Sequence, residues 1–224
     1  MSSNPTTPLL NKYITEVVRK YATGFSLQWK SQALLLKIIK PFMFWNPRFS
    51  EYITTIGNTV YVPDSWPESL ELDNLTFTAH EAVHAKDANK NPLFPLLYLF
   101  PQIFWPLLAI GLAFISPWFL FVALLGALPM PAPFRFFSEL RAYRMNLLII
   151  EKILGFQKTS IEYQESKMFF VTQMVGQWYF WAMPLKGYVI KKFDETGWET
   201  EDIYKDTIEF CNVNIPRYTS SVGI

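Results

Sequence analysis

The two histidines of the chain, His80 and His84, are four residues apart, and Glu81 directly follows the first. On an α-helix, positions i and i+4 lie on one face about one turn apart, so both imidazoles can reach one metal ion. The pattern is the H-E-x-x-H signature of zinc peptidases. We therefore predict one Zn²⁺ ion bound by His80 and His84, with Glu81 as general base on the zinc-bound water. The alternative is a pair of surface histidines on an amphipathic helix.

A catalytic zinc site needs a third protein ligand, and no third histidine is present to supply it. Glu139 is the candidate, because it lies on the next clearly helical segment beyond a long apolar stretch. Ala142, on the same face of that segment, is small enough to allow close approach to the histidine-bearing helix. The alternative role for Glu139 is to complement the helix dipole just after a capping serine, Ser138.

Asp87 is the rival third ligand, because it lies on the same predicted helix as the histidines. Helix geometry argues against it. Ligand atoms about 2 Å from one zinc ion are only about 3.3 Å apart, whereas the helix rises about 1.5 Å per residue. The short side chain of Asp87 cannot reach back over the resulting gap, so Glu139 remains the predicted ligand.

The order of these features resembles that of the membrane-embedded gluzincin peptidases, which include the HtpX-type heat-shock proteases and the CAAX prenyl proteases. The resemblance covers roughly residues 50–155 and implies a zincin-like metallopeptidase core with zinc ligands at His80, His84 and Glu139 and with Glu81 as general base. The family's aspartate after the alanine is replaced here by Tyr143, so a phenol would have to orient the ligand histidine. The matching elements are His80-Glu81-Ala82-Val83-His84, an apolar hairpin, and Glu139-Leu140-Arg141-Ala142-Tyr143-Arg144, which is similar to E-x-x-A-D-R.

These residues predict a zinc-dependent metalloendopeptidase that hydrolyses a peptide or protein substrate. The donor to the developing oxyanion cannot be a histidine in this chain, which leaves Tyr143, Tyr179, Tyr188 or an arginine such as Arg144. Two alternatives remain. One is a catalytically weak or inactive membrane-anchored interaction or structural protein that retains the zinc site, and the other is a soluble zinc hydrolase with a buried hairpin. An intact Glu81 favours the enzyme, since a structural zinc site needs no base.

The elements that position these residues can be predicted from local patterns. Thr7-Pro8 opens an amphipathic helix, and residues 27–44 form a second helical stretch. Gly57-Asn58 lies between two β-branched runs, which predicts a β-hairpin over residues 53–62. Its second strand, residues 59–62, is either a sheet edge for an extended substrate or an ordinary packed strand.

Two helices must carry the zinc ligands. Asp73 or Asn74 caps the helix with the histidines, which ends before Asn91-Pro92, and residues 135–154 form the helix with Glu139. The resulting fold class is mainly α (α+β). We predict a single zincin-like domain over residues 1–224, with a small β-hairpin or sheet and a hydrophobic helical hairpin inserted between the zinc helix and the third-ligand helix.

The inserted segment, residues 91–134, contains no charged residue and no histidine. Residues 96–115 are long enough to cross a hydrocarbon core of about 30 Å as a kinked helix, which predicts a membrane hairpin or re-entrant loop. Basic residues flank it on both sides, which places both ends, and the active site, on the cytoplasmic face. The partners expected from this are a peptide or protein substrate and membrane lipid.

The overall charge excludes other classes of function. A net charge of +1 without a cluster of lysines and arginines argues against nucleic-acid binding. The single cysteine, Cys211, excludes an intramolecular disulfide and any zinc site built on several thiolates.

Overall fold

The computed structural model describes residues 5–39, 53–66, 71–100, 104–119, 121, 131–176 and 182–215. Most of these residues are helical, and three short strands form one sheet. The predicted class, mainly α with a small sheet, is therefore confirmed. The helices in chain order are α1 (Pro8–Tyr13), α2 (Arg19–Tyr21), α3 (Leu34–Ile39), α4 (Glu71–Lys90), α5 (Phe94–Leu99), α6 (Phe104–Leu112), α7 (Pro133–Lys152), α8 (Ile161–Val175), α9 (Lys186–Asp194) and α10 (Asp202–Asn214), and the strands are β1 (Ser26–Trp29), β2 (Thr54–Ile56) and β3 (Thr59–Val62).

The N-terminal helix begins as predicted. The Thr7 side chain accepts a hydrogen bond from the Leu10 amide at 3.3 Å, and Pro8 occupies the first helical turn. The second predicted helix, residues 27–44, is partly wrong, because Ser26–Trp29 forms β1, which is followed by a 3-10 turn over Lys30–Gln32 and then by α3. Residues 40–44 lie outside the described residues. A parallel ladder to β3, about thirty residues further along the chain, overrides the helical pattern.

The predicted hairpin forms from β2 and β3, which pair antiparallel with Thr55 opposite Val60. Gly57 in its turn has a φ of +60°, a conformation that favours glycine. The strand order is β1-β3-β2, so β3 is the central strand, and of its two predicted roles the packed strand is the one observed. Within the described part of the chain, β1 and β2 each pair on one side only, so both are edge strands.

Helices α4 and α7 pack against each other and carry the predicted ligands. Helix α4 ends at Lys90, directly before Asn91-Pro92, as predicted, although it begins at Glu71 rather than at Asp73 or Asn74. Alanines line the interior of this pair, and Ala82 and Ala142 are fully buried in one core cluster. Small side chains permit close approach of the two helix axes.

Helix α7 joins two hydrophobic clusters. One cluster contains the buried side chains of α1, α4, α10 and the sheet, and it includes Tyr13, Leu75 and Met145. The other lies against α8 and α9 and includes Phe136 and Met174. Burial on both sides fixes the rotation of α7 and therefore the direction in which its polar residues point.

The inserted segment, residues 91–134, begins with α5 and α6, which are short. No helix among the described residues is both long and apolar enough to cross a membrane. Several large apolar side chains that follow α6 are highly exposed, namely Phe114 (93%), Ile115 (79%) and Trp118 (75%). Residues 101–103, 120 and 122–130 of the predicted hairpin lie outside the described residues.

Candidate metal centre

The three predicted zinc ligands converge. Helix α4 presents His80 and His84 on one face, and α7 brings Glu139 opposite them. The two imidazole Nε2 atoms are 3.3 Å apart. Glu139 Oε2 lies 3.6 Å from His80 Nε2, and Glu139 Oε1 lies 3.5 Å from His84 Nε2. All three residues are buried, with exposed fractions of 7%, 8% and 2% for His80, His84 and Glu139.

This cluster could hold a metal ion. Ligand atoms in a tetrahedral zinc site, with bonds of about 2 Å, are separated by about 3.3 Å, close to the distances found here. Within the described residues, Glu139 Oε2 is buried and accepts no hydrogen bond. A buried carboxylate oxygen without a donor is costly, and a cation at the junction of the three groups would remove that cost. The donor set therefore fits a divalent ion bound by two imidazoles and one carboxylate.

His84 and Glu139 shift each other's pKa values. Burial alone would lower the pKa of His84, but the Glu139 carboxylate outweighs it and raises that pKa to about 9. Burial in turn raises the pKa of Glu139, yet the neighbouring histidines hold it well below its ordinary value. A cation at this position, whether a proton on His84 or a metal ion, is therefore strongly favoured.

Ser138 contacts the Nδ1 atom of His84, the ring nitrogen that does not face Glu139. Its Oγ lies 2.9 Å from His84 Nδ1 and also donates to Asp87 Oδ2 at 3.3 Å. Arg141 pairs with the same carboxylate. Burial raises the pKa of Asp87, although Arg141 and His84 oppose this effect. Asp87 is therefore not among the three residues that converge, and its carboxylate is hydrogen-bonded to Ser138 and paired with Arg141.

The alternative in which Ser138 caps its helix does not match the structure. Helix α7 begins at Pro133, so Ser138 lies one turn inside it, where its hydroxyl is free to serve the metal centre. Sequence reasoning missed this role, although the position directly before Glu139 was a signal. Ser138 thus connects the His84 imidazole to the carboxylate of Asp87 through two hydrogen-bond contacts.

Tyr143 contributes its ring to the site. The ring packs edge-on against the His80 imidazole, with centroids 4.8 Å apart, and stacks on Phe170 at 4.6 Å. These contacts limit rotation of the His80 ring. Tyr143 therefore buttresses one histidine while Ser138 orients the other.

Glu81 lies next to β2, an edge strand of the sheet. It is half-buried, and the hydroxyl group of Thr55 on β2 donates a hydrogen bond to Glu81 Oε2. Strand β2, rather than β3, is therefore the strand adjacent to the predicted base. Thr55 was not among the residues singled out in the sequence, because nothing local links it to a glutamate on another element.

A second residue that the sequence did not single out is Tyr98 of α5. Its hydroxyl donates to Glu139 Oε1, and its ring lies edge-on to the His84 ring, with centroids 6.1 Å apart. It is the only tyrosine between residues 91 and 134, which was the available signal. The inserted segment thus contributes a hydroxyl to the metal centre.

The other predicted oxyanion donors are not brought to this cluster. The Arg144 guanidinium donates to the Lys192 carbonyl and lies 3.6 Å from Glu195 Oε2, toward the C-terminal end of α9. Tyr188 is an exposed residue of α9, and Tyr179 lies outside the described residues.

Comparison with known proteins gives no relative to draw on: no family model matches the sequence, and neither a curated protein nor a solved structure matches it. The fold and the site define a mainly α protein with a small sheet and a buried His-His-Glu cluster able to hold a metal ion. Any more specific function must be argued from the residues of the cluster.

Proposed function

We propose that the protein is a zinc-dependent metalloendopeptidase in which His80, His84 and Glu139 hold one Zn²⁺ ion and Glu81 is the general base. The observation that carries this proposal is the convergence of the three buried ligands at separations of 3.3, 3.5 and 3.6 Å. Two imidazoles and one carboxylate form one of the ligand sets of catalytic zinc sites, and three protein ligands leave a fourth position open.

When bound at such a site, zinc lowers the pKa of a coordinated water and polarises the carbonyl group of a substrate. The chain's own contribution is the proton transfer. Thr55 holds Glu81 through Oε2. Because a carboxylate has two oxygens, Glu81 can keep this hydrogen bond and take a proton from the attacking water on Oε1. It then returns the proton to the leaving amine.

Strand β2 supports a peptide as the substrate. It forms the edge of the described sheet next to Glu81, and an extended chain can add to such an edge through main-chain hydrogen bonds. An edge-bound peptide would lie beside the metal centre with its backbone fixed. This arrangement favours cleavage within a chain, because strand addition requires no free terminus.

Membrane association is the second part of the proposal, with the site facing the cytoplasm. It is supported by the charge-free segment over residues 91–134, its basic flanks, and the exposed side chains of Phe114 (93%) and Trp118 (75%). The alternative, a hairpin buried in a soluble fold, does not account for the high exposure of those two side chains in the described structure.

The catalytic proposal is tested by measuring bound zinc and cleavage of fluorescein-labelled casein for the wild type and for Glu81→Gln. We expect about one zinc per chain in both proteins, and a rate lowered about 10²–10⁴-fold in the variant, because Gln cannot accept the proton. Glu165→Gln, an exposed substitution on α8, is the matched control and should leave both unchanged.

The two alternatives predict different results. If Glu81→Gln cleaves casein at the wild-type rate, Glu81 is not the base and the peptidase assignment is wrong. If the wild type binds zinc but cleaves nothing, the metal serves only to join α4 to α7, as in a membrane-anchored structural protein.

Membrane association is tested by flotation with liposomes that contain anionic lipids. We expect the purified protein to float with the liposomes and a Phe114→Ser, Trp118→Ser double variant to float much less. Ile161→Ser, at an exposed apolar residue of α8, is the control and should float like the wild type. Wild-type protein that is monomeric in buffer without detergent and does not float with the liposomes would contradict the proposal.

A further inference from the structure

Tyr98 occupies the side of the metal centre that α5 faces. Its hydroxyl donates to Glu139 Oε1, the same oxygen that lies 3.5 Å from His84 Nε2. Ligand atoms around one zinc ion are only about 3.3 Å apart, so a hydroxyl that is hydrogen-bonded to one of them is close to the neighbouring coordination positions as well. Tyr98 can therefore reach an oxygen atom placed beside Glu139 by a small movement of its side chain.

Arg135 of α7 holds Tyr98 in this position. The Arg135 Nε donates to the Tyr98 carbonyl at 3.2 Å, and its guanidinium carbon lies 4.9 Å from the centre of the Tyr98 ring. Arg135 is itself buried, so both the main chain and the ring of Tyr98 are fixed by a rigid helix. A donor held this close to the ligands needs only a small side-chain movement to stabilise a charge that develops beside Glu139.

Two other hydroxyls near the cluster already make hydrogen-bond contacts within the site. Ser138 is buried between His84 and Asp87, and Thr55 donates to Glu81. Tyr98 is less buried than Ser138, so a substrate can approach it.

We propose that Tyr98 is a catalytic residue that donates a hydrogen bond to the carbonyl oxygen of the scissile peptide as that oxygen gains negative charge. This inference rests on the proposed peptidase function, which left the oxyanion donor unassigned. It gives the inserted segment a chemical task, because α5 supplies the phenol.

The proposed reaction consumes one water molecule. The water oxygen forms a bond to the carbonyl carbon, and its proton moves to Glu81. The bond from that carbon to the amide nitrogen then breaks, and Glu81 returns the proton to the nitrogen. Tyr98 keeps its own proton throughout and donates only a hydrogen bond, first to Glu139 and then to the carbonyl oxygen.

The test uses Tyr98→Phe in the full-length protein, with fluorescein-labelled casein as the probe. We expect kcat to fall about 10²–10³-fold while KM stays within about twofold, because the hydrogen bond is made mainly in the transition state. Zinc affinity and the visible spectrum of the Co²⁺-substituted protein should stay close to those of the wild type. Tyr188→Phe, at an exposed residue of α9, is the matched control and should be unchanged.

Two results would overturn the inference. An unchanged kcat in an active Tyr98→Phe protein would show that the phenol has no catalytic role. A loss of zinc affinity that accounts for the whole loss of activity would make Tyr98 a positioning residue for Glu139. Failure of the peptidase proposal is distinguishable, because the wild type would then bind zinc without cleaving casein.

Discussion

A single hydroxyl links His84 to a buried carboxylate. Ser138 Oγ contacts His84 Nδ1 at 2.9 Å and Asp87 Oδ2 at 3.3 Å. Such a contact fixes which imidazole nitrogen carries the proton, and therefore leaves the lone pair of Nε2 directed at the metal position. The carboxylate of Asp87 is hydrogen-bonded to this serine and also interacts electrostatically with the imidazole.

Ser138→Ala should therefore lower zinc affinity about 10–100-fold, the range typical for partners outside the ligand set. The residue that remains is small, so the fold should be retained. Affinity is measured by competition with a chromophoric chelator. Ser166→Ala, which removes a hydroxyl bonded only to its own helix, is the control. Equal affinities for Ser138→Ala and wild type would show that the serine does not orient His84.

Helix spacing decides whether the ligands can meet. His80 and His84 are on α4 and Glu139 is on α7, so the distance between these helices sets the size of the metal position. Ala142 is fully buried in the cluster that joins them. A larger side chain at this position would push the helices apart.

Ala142→Leu is expected to cost about 1–3 kcal/mol in unfolding free energy, because a well-packed interior accommodates extra methylene groups poorly. It should also weaken zinc binding, since a shift of a few tenths of an ångström in α7 moves Glu139 away from the histidines. Ala88→Leu, at a half-buried position of α4, is the control. Urea unfolding and zinc titration measure the two effects, and a variant as stable and as tightly zinc-binding as wild type would contradict them.

Local signals made the hairpin and the histidine helix predictable. Gly57 at the turn and Asn91-Pro92 after α4 are short-range features, and both elements end where the sequence indicates. Strand β1 was not predictable in the same way, because its partner β3 is far along the chain and its apolar residues also fit a helix. Long-range pairing decides between the two structures.

The candidate site shows the same division. The helical spacing places the two histidines on one face. A catalytic zinc site needs a third protein ligand, and without a third histidine this ligand is a carboxylate, which indicated Glu139. Tyr98 and Thr55 reach the cluster because α5 and β2 pack beside it, and no local sequence pattern predicts such contacts between elements. Packing rather than spacing therefore brings these hydroxyls to the site.

For the whole molecule, the metal centre lies where its loss matters to stability. Helix α7 joins both hydrophobic clusters, and the cluster of ligands connects it to α4. Zinc that binds only the folded state adds about 2.7 kcal/mol at a concentration 100-fold above its Kd, which is about 5–11 °C in Tm for a chain of this size.

The size of that gain should depend on pH. The folded-state pKa of His84 is raised from 6.5 to about 9, so its protonated form stabilises the metal-free protein below pH 6.5. This stabilisation is lost as the pH rises toward 9. The pKa of Glu139 is lowered from 4.5, so that residue stays ionised over the whole interval and adds no slope there.

Zinc must displace the proton of His84, so its apparent affinity should rise by up to about tenfold per pH unit between pH 6.5 and 9. The metal-free protein loses stability over the same interval, and the difference in Tm between zinc-loaded and metal-free protein should therefore widen with pH. Thermal unfolding at pH 6.5, 7.5 and 8.5, with zinc or with a chelator, measures this difference. Metal-free Glu139→Gln lacks the charge that raises the pKa of His84, and it should lose most of the pH dependence in this range. A Tm difference that is constant from pH 6.5 to 8.5 in the wild type would show that His84 is not the group that zinc deprotonates.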